Sequence, residues 1–233
     1  MAEVEARIEE LARWILEAKH PVFFTGAGIS TASGLPDFRG PDGVWTRRDK
    51  GLGPVEFDWT QARPNQCHMA LADLQNMKRL AFLISQNVDN LHLESGIQPE
   101  LLAELHGNVT KLQCVSCGFK CDNFPDLTQC PICECRLAPS VVDFGDPLPQ
   151  KDLDEAEFHS GKSDLFVVVG SSMMVYPAAG MPRIALKAGA RLVIINQGET
   201  PLDQECHLRF QEAILDVLPP AVDRIKQLKH QGY

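Results

Sequence analysis

Two short polar segments hold residue types that could work together as a base and a ligand-binding pair. His106 lies in the segment Glu104–Asn108, and Asn87 and Asp89 lie upstream in the segment Ser85–His92. An imidazole with an ordinary pKa of about 6.5 accepts a proton near neutral pH, and an amide and a carboxylate can both hydrogen-bond a ligand. A lone histidine is usually structural, but together with Asn87 and Asp89 His106 is predicted to be a catalytic base.

A glycine-rich segment, Thr25–Ser30, carries Gly26 and Gly28 directly after an apolar run. Glycines let backbone amides approach a pyrophosphate, and a helix beginning at Ser30 and Thr31 would present unpaired N–H groups to it. Thr31 stands where the hydride-transfer fingerprint has its third glycine, so the segment predicts phosphate binding of a different kind. A plain tight turn is the alternative.

The next segment, residues 33–45, is rich in glycine, proline and aspartate and is too broken for a helix. Such a loop is typical of a mobile lid over a cofactor, and a solvent-exposed connection is the alternative. Because Phe38, Arg39 and Trp45 are unfavourable to leave in solvent, the lid interpretation is preferred.

Six of the eight cysteines lie between Cys114 and Cys135. Cys114 and Cys117 form one Cys-x-x-Cys pair, and Cys130 and Cys133 form a second, with a spacing close to that of a zinc ribbon. Four thiolates close the coordination shell of zinc, so the metal is predicted to organise a small lobe and not to catalyse.

Two further cysteines, Cys121 and Cys135, leave the ligand set open. Cys135 follows Cys133 so closely that the two compete for one corner of the site, and the Cys-x-x-Cys geometry favours Cys133. Cys67 and Cys206 are predicted to be ordinary buried thiols.

Four apolar runs end abruptly in polar or glycine residues, as the buried strands of a parallel sheet do. The runs are Pro21–Phe24, Leu80–Ile84, Leu165–Val169 and Arg191–Ile195. In an open doubly wound α/β sheet, ligands bind beyond the carboxyl ends of the strands, so the four polar tips are predicted to line one crevice. Amphipathic helices assigned to core packing are predicted over Val4–Ala18, Ala178–Ala188 and Ala213–Leu228.

Composition and charge favour a globular protein and argue against some kinds of partner. Of 233 residues, 44% are hydrophobic and 23% are charged, which suffices for a sizeable core in one domain. The formal charge of −9 argues against nucleic acid or an anionic membrane as a direct partner. The first residues do not resemble a signal peptide and no apolar run reaches the roughly 18 residues of a membrane span, so the cytoplasm is the default location.

Five motifs in their order make the chain resemble the sirtuins, the NAD-dependent protein deacylase family. The motifs are Gly26–Ser30, Gly34–Arg39, Gln86–His92, Leu105–Gly107 and the two cysteine pairs. The match runs from about Val22 to Asn196. The segment Phe38–Trp45 is similar to the branch that contains the nuclear mammalian sirtuins, which makes the nucleus an alternative location.

The resemblance implies one catalytic domain over residues 1–233. A large Rossmann-like lobe would cover about 1–108 and 146–233, and a small lobe holding one structural Zn²⁺ would cover about 109–145. NAD⁺ would bind in the cleft, with an acyl-lysine protein or peptide laid across its opening. In this family the acyl oxygen attacks C1′ of the nicotinamide ribose, nicotinamide leaves, and a histidine corresponding to His106 draws a proton through the ribose hydroxyls. The products are free lysine and O-acyl-ADP-ribose.

The resemblance also assigns residues to the cofactor. Asn87, which joins His106 as a catalytic residue, and Asp89 would hydrogen-bond the carboxamide of nicotinamide. The other cofactor-binding positions are Gly26, Ala27, Gly28, Ser30, Asp37, Phe38, Arg39, Trp45, Gln86, Gly170, Ser171, Ser172 and Asn196.

The peptide substrate is expected to add as a strand, held by main-chain hydrogen bonds that tolerate many sequences. The residues expected to contact it are Val142, Phe144, Gly145 and Val175. Sirtuins that remove acidic acyl groups present a tyrosine and an arginine in the segment after the lid, but the tyrosines of this chain are Tyr176 and Tyr233, so none lies in that segment. Succinyl-lysine is therefore predicted to be a poor substrate, and acetyl and longer neutral acyl groups remain open.

Two other functions stay open beside deacylation. The same NAD cleavage could place ADP-ribose on a protein nucleophile, and a non-catalytic chain could sense NAD or ADP-ribose. His106 beside Asn87 and Asp89 argues against the sensor, because a pure binder needs no base. A dehydrogenase is disfavoured by the missing third glycine.

Overall fold

The computed structural model describes residues 2–124, 126–143 and 145–231, and its main element is a six-stranded parallel sheet. Its strands are β1 (Pro21–Thr25), β2 (Phe82–Ser85), β3 (Leu102–Glu104), β7 (Leu165–Val169), β8 (Arg191–Ile195) and β9 (Leu208–Phe210). They stand in the order β3-β2-β1-β7-β8-β9. The chain runs from β1 outward to β3 and then returns to β7 on the other side of β1. The topological switch point, where such sheets bind ligands, therefore lies between β1 and β7.

The burial of β1 explains why apolar runs predict strands in this chain. Phe23 contributes to the core on one face of the sheet, and Val22 and Phe24 contribute to the core on the other. Successive side chains of a strand point to opposite faces, so a sheet covered on both faces needs apolar residues at every position. The four predicted strands are confirmed, and they form the adjacent parallel set β2-β1-β7-β8.

Helices cover both faces of the sheet. One face packs against α1 (Ala2–Glu17), α3 (Gln66–Asn76) and α7 (Leu218–His230), and the other packs against α5 (Gln150–Lys162) and α6 (Met181–Lys187). Two shorter helices are α2 (Val44–Asp49) and α4 (Leu91–Glu94). Within the described ranges, no helix has both the length and the apolar character that crossing a bilayer requires.

Two predicted helices start differently from the expectation. The helix predicted over residues 213–228 opens as a separate 3-10 turn, Ile214–Asp216, before α7 begins. Pro219 and Pro220 lack an N–H, so they are accommodated in the first turn of α7, where that group needs no partner. The helix predicted near residue 178 likewise opens with a 3-10 turn, Ala178–Gly180, before α6.

A second, antiparallel sheet forms a small lobe between β3 and α5 in the chain. Its strands are β4 (Lys111–Cys114), β5 (Lys120–Asp122) and β6 (Leu137–Pro139), in the order β5-β4-β6. Leu112, Leu137, Cys114 and Cys130 form its buried core. This separate sheet confirms a small cysteine-containing lobe, and the limits of the two lobes stay a prediction.

Candidate functional site

Hydrogen bonds join the carboxyl ends of β1, β2 and β7, so their polar tips form one surface. The backbone N–H of Gly28 donates to Gly170 O at 2.9 Å, and that of Gln86 donates to Thr25 O at 3.0 Å. The side chain of Gln86 also donates from Nε2 to Ser171 Oγ at 2.7 Å. The structure therefore brings the first three predicted tips together.

Gly26 and Gly28 are explained by close packing of the β1 tip against the β7 tip. A Cβ atom added to Gly26 or to Gly28 would lie 2.8 Å from Gly170 O. The amides of Gly26 and Gly28 donate to Val169 O and Gly170 O, so both are engaged within the protein. The helix expected at Ser30 is a 3-10 helix, Ala27–Ser33, and the phosphate contacts of this segment stay a prediction.

Ser30, Asn87 and Asp89 form a polar cluster beside these tips. Ser30 Oγ donates to Asp89 Oδ2 at 2.6 Å. Asn87 Nδ2 donates to Ser30 Oγ at 3.0 Å and to Asp89 Oδ2 at 3.2 Å. A hydroxyl, an amide and a carboxylate are the donors and acceptors that a ligand carboxamide needs, so these residues fit the nicotinamide group.

His106 follows β3 and is held by the tip of β2. Its Nδ1 lies 2.8 Å from Gln86 O. Because a carbonyl oxygen can only accept, Nδ1 carries the hydrogen and Nε2 is the basic nitrogen. Burial lowers the pKa of His106 below its ordinary value, against the smaller opposing effect of the hydrogen bond to Gln86. The ring is thus neutral near pH 7, the state that a general base needs.

The main chain around His106 is held by the segments that enter and leave the small lobe. Val142 N donates to His106 O at 3.0 Å. Ser140 Oγ accepts from Asn108 N at 3.0 Å and donates to Asn108 O at 2.9 Å. His106 therefore lies where the two lobes meet, and folding of the small lobe fixes its position.

Gly107 allows these two segments to cross. It has a φ of +78°, and a Cβ atom would lie 1.8 Å from Ser140 O. We expect Gly107→Ala to lower the free energy of unfolding by more than about 2 kcal/mol, from strain and clash together. Gly96→Ala is the control, because Gly96 has a φ of +96° with open space around it. That control should lose only about 1 kcal/mol, and equal losses in urea unfolding would contradict the crossing argument.

The four predicted zinc ligands meet in the small lobe. The Sγ atoms of Cys114, Cys117, Cys130 and Cys133 all lie within 4.8 Å of one another. A tetrahedral zinc with Zn–S bonds of about 2.3 Å places its sulfurs roughly 3.8 Å apart, so the set fits this ion. Hydrogen bonds from the backbone N–H groups of Cys117 and Ser116 lower the pKa of Cys114 to about 6. The pKa values of Cys117 and Cys133 are raised instead, because burial and hydrogen bonds with the neighbouring thiols outweigh the hydrogen bonds from backbone N–H groups. Of these three cysteines, Cys114 is the one whose surroundings favour the thiolate that zinc requires.

The remaining cysteines lie outside this cluster of four. Cys133, and not Cys135, supplies the fourth thiol of the cluster, as the Cys-x-x-Cys spacing predicted. Cys121 lies on β5. Cys67 is fully buried, which raises the pKa of its thiol to about 12. Cys206 is only partly buried, because it lies in a surface turn where its thiol donates to a backbone carbonyl.

The predicted lid residues pack on one another. The ring centroids of Phe38 and Trp45 are 5.2 Å apart, and the guanidinium of Arg39 lies 4.5 Å from the ring of Trp45. Asp37 Oδ1 accepts a hydrogen bond from Gly40 N at 2.9 Å. Helix α2 begins inside the segment expected to be too broken for a helix, since no proline or glycine follows Gly43 until the helix has ended.

The other predicted positions lie at the tips of β7 and β8 and beside the small lobe. Asn196 follows β8, and its side chain donates to Gly198 O at 2.9 Å. Ser172 is partly buried after β7, and Val175 O accepts from an amide of the next turn. Gly145 has a φ of +98°, and Phe144 lies outside the described residues.

Comparison with known proteins is consistent with this geometry. The model of the Sir2 family matches residues 54–177, more than half of the chain. The NAD-dependent protein deacetylase 1 of Bradyrhizobium diazoefficiens is 38% identical over 95% of this chain and 97% of its own length. The chain belongs to the Sir2 family.

A solved Sir2 complex with a p53 peptide and NAD⁺ shares the fold of this Sir2-family chain, with a TM-score of 0.72 and 35% identity. The match covers 97% of this chain and 98% of the solved one. The NAD-dependent protein deacetylase SRT1 of Arabidopsis thaliana is 42% identical over 88% of this chain, but the match covers 46% of the plant protein. The chain thus spans just under half the length of its plant relatives.

Two residues that support the site of this Sir2-family chain were missed by sequence reasoning. His68 on α3 lies with its Nε2 3.4 Å from Ser30 Oγ, and burial lowers its pKa to about 4, so it is neutral. Arg209 on β9 donates to Asn196 O and to Gly198 O, both at 2.6 Å, and pairs with Asp203. Ser30 lies 38 residues before His68, and these partners of Arg209 lie 6 to 13 residues before it, so no local pattern marks either residue.

Proposed function

We propose that this Sir2-family chain is an NAD-dependent protein-lysine deacylase. The observation that carries the proposal is His106, neutral and basic at Nε2, tied through Gln86 to the cluster of Asn87 and Asp89. The names of the relatives, protein deacetylases and deacylases, support the same chemistry. NAD⁺ when bound supplies the electrophilic ribose carbon and the nicotinamide leaving group.

Each side chain of the cluster has one task in this proposal. Asn87 and Asp89 orient the carboxamide, and Ser30 holds both of them through its hydroxyl. His106 accepts a proton at Nε2, while its Nδ1–H stays bonded to Gln86 O and fixes the ring. The tips of β1, β7 and β8 bind the phosphates and the adenosine.

The substrate is proposed to be an acyl-lysine in a protein, bound as an added strand beside Val142. Val142 uses its amide to bind His106 O, which brings this segment directly against the proposed base. A solved relative holds a p53 peptide, which supports a protein substrate. Neutral acyl groups are proposed, because the tyrosine expected after the lid for acidic acyl groups is missing.

Purified, zinc-loaded protein incubated with NAD⁺ and acetyl-lysine, myristoyl-lysine or succinyl-lysine peptides tests the proposal. We expect loss of the acetyl or myristoyl mass with matched nicotinamide release, and little reaction of the succinyl peptide. Nicotinamide release with ADP-ribose added to protein would replace deacylation by ADP-ribosyl transfer. Binding of NAD⁺ without nicotinamide release would favour a sensor.

The pH dependence of kcat/KM is expected to show an acid limb below pH 6.5, the ordinary pKa of histidine. Burial lowers the pKa of His106, and the base acts only when neutral. Activity is therefore complete above the lowered pKa and is lost as the pH falls through it. Rates between about pH 5 and 8 at constant ionic strength measure this limb. A limb above the ordinary value would contradict the assignment.

Arg209→Lys is expected to raise the KM for NAD⁺ about tenfold while kcat stays within about twofold. The guanidinium fork joins Asn196 O and Gly198 O, and a lysine cannot bridge both carbonyls in the same plane. Arg183→Lys is the control, because Arg183 forms an exposed ion pair with Glu205. An unchanged KM for NAD⁺ in Arg209→Lys would show that the segment from Asn196 to Gly198 does not contribute to cofactor binding.

We also propose three finer assignments that rest on sequence. The segment Phe38–Trp45 favours the branch containing the nuclear mammalian sirtuins, although the two relatives named above come from a bacterium and a plant. The cytoplasm is the proposed location, with the nucleus as the alternative. The large lobe is proposed to cover about 1–108 and 146–233, and the small lobe about 109–145.

A further inference from the structure

The carboxylate of Asp152 joins three elements from both lobes. Asp152 lies in the first turn of α5, and its side chain is only 12% exposed. Its Oδ2 is 2.6 Å from Nζ of Lys120 on β5, in the small lobe. Its Oδ1 accepts a hydrogen bond of 3.1 Å from the backbone N–H of Glu104, the last residue of β3.

Glu104 N needs such a partner because β3 is an edge strand. β3 pairs with β2 on one side, where Leu105 N donates to Ser85 O. Successive amides of a strand point to opposite edges, so the amide of Glu104 points away from β2. Asp152 therefore takes the place of a further strand at the amide of Glu104, which lies two positions before His106.

The side chain of Glu104 extends the same network toward the site. Glu104 Oε1 accepts from Asn108 Nδ2 at 2.6 Å, and the same nitrogen donates to Asn90 Oδ1 at 2.9 Å. Burial raises the pKa of Glu104, while the charges of Lys120 and Lys111 oppose this and the charge of Asp152 adds to it. His106 is thus bracketed by Glu104 and Asn108, and both are tied to this network.

We propose that Lys120 and Asp152 form a latch between the lobes that positions His106 for its role as base. Lys120 and Asp152 are positioning residues, because neither contacts the site directly. Lys120 balances the charge of the nearly buried Asp152 carboxylate, which binds the free amide at the edge of β3. The same carboxylate therefore holds both the small lobe, through Lys120, and the segment that leads from Glu104 to His106. The latch rests on the proposed function, since its consequence for rate presumes that His106 is the base.

Breaking an ordinary surface ion pair has little effect on stability or rate, so a variant of such a pair is a control for the latch. Lys111 and Asp122 form such a pair at 2.5 Å, within the small lobe and with Asp122 63% exposed. Asp122→Asn therefore breaks a pair within the same lobe and leaves in place the charge of Lys111, which acts on Glu104. Lys120→Met removes the latch at similar side-chain volume, and Lys120→Arg restores its charge.

Steady-state kinetics on zinc-loaded protein with an acetyl-lysine peptide gives the first measurement. We expect Lys120→Met to lower kcat about tenfold, with the KM for NAD⁺ within about twofold, because a base displaced by a fraction of an ångström acts poorly. Its acid limb should move to higher pH, since a loosened lobe hydrates His106. Lys120→Arg should recover most of the rate, and Asp122→Asn should match the wild type. Equal behaviour of Lys120→Met and the wild type would overturn the latch.

The titration of His106 by NMR, on protein with isotope-labelled histidine, does not depend on activity. The latch predicts a higher pKa for His106 in Lys120→Met than in the wild type or Asp122→Asn. If this shift occurs in a protein that does not deacylate, the latch stands and the proposed function fails. If the protein deacylates and neither the titration nor kcat changes, the proposed function stands and the latch fails.

Discussion

His106→Asn is expected to lower the rate of deacylation by about 10²- to 10⁴-fold while leaving the fold and NAD⁺ binding in place. Asparagine keeps a side-chain N–H that can donate to Gln86 O, as Nδ1 of His106 does, but it has no basic nitrogen at the position of Nε2. The substitution therefore removes the base and keeps the local hydrogen bond. The loss corresponds to about 3–5 kcal/mol of transition-state stabilisation.

The measurement is nicotinamide release and peptide mass under saturating substrate, with the thermal unfolding midpoint and NAD⁺ affinity measured on the same sample. His230→Asn is the control, because His230 is exposed near the end of α7. It should retain wild-type activity. A His106→Asn enzyme within tenfold of the wild-type rate would show that another group accepts the proton. Loss of NAD⁺ affinity in that variant would instead assign His106 to binding.

The central strands could be predicted from the sequence, and the edge strands could not. β1, β7 and β8 are apolar at nearly every position because both faces of the sheet are covered, which leaves a continuous signal. β3 and β9 have three residues each and contain a charged residue. Their pairing is directed by β2 and β8, which end more than a dozen residues earlier in the chain, so the short segments carry no strand pattern of their own.

The candidate site divides in the same way. Asn87 and Ser171 closely follow β2 and β7, and the carboxyl ends of parallel strands meet at one edge, so their convergence could be predicted. His106 follows β3, which had no strand signal of its own, so its place beside them came from the family resemblance. Asp152 looks in the sequence like an ordinary acidic residue in the first turn of a helix, a position that the helix dipole favours. Its role depends on Lys120 and on an amide of β3, which only the folded chain brings to it.

The structure adds a second reason for two of the glycines. Gly26 and Gly28 are predicted to let backbone amides approach a phosphate, and their missing Cβ atoms also make room for Gly170, which follows β7. Sequence reports that a side chain is excluded at a position, and it does not report which neighbour excludes it. The close contact joins the β1 and β7 tips at the switch point of the sheet, so it still shapes the predicted crevice.

Cys133→Ser is expected to abolish both zinc binding and deacylation, although Cys133 does not belong to the polar cluster around His106. A structural zinc site stabilises its domain by an apparent 10–16 kcal/mol, roughly, and a serine hydroxyl is a poor replacement for one of its thiolates. Among the described residues, the core of the small lobe has four buried side chains, and two of them, Cys114 and Cys130, are themselves zinc ligands in this assignment, so the lobe depends strongly on the metal. Its unfolding would release Val142 from His106 O and Ser140 from Asn108, and the base would lose its position.

Cys135→Ser is the matched variant, because Cys133 and Cys135 are two residues apart and the structure places only Cys133 with the other three thiols of the described cluster. Cys135→Ser should keep close to one zinc per chain, measured by elemental analysis, and should keep wild-type resistance to limited proteolysis in the small lobe. If both variants lost zinc equally, Cys133 and Cys135 would both contribute to zinc binding, and the sequence alone would not have distinguished them. If Cys133→Ser lost zinc but kept full activity, His106 would be positioned by the large lobe alone. The contacts of Val142 and Ser140 would then contribute nothing to the rate.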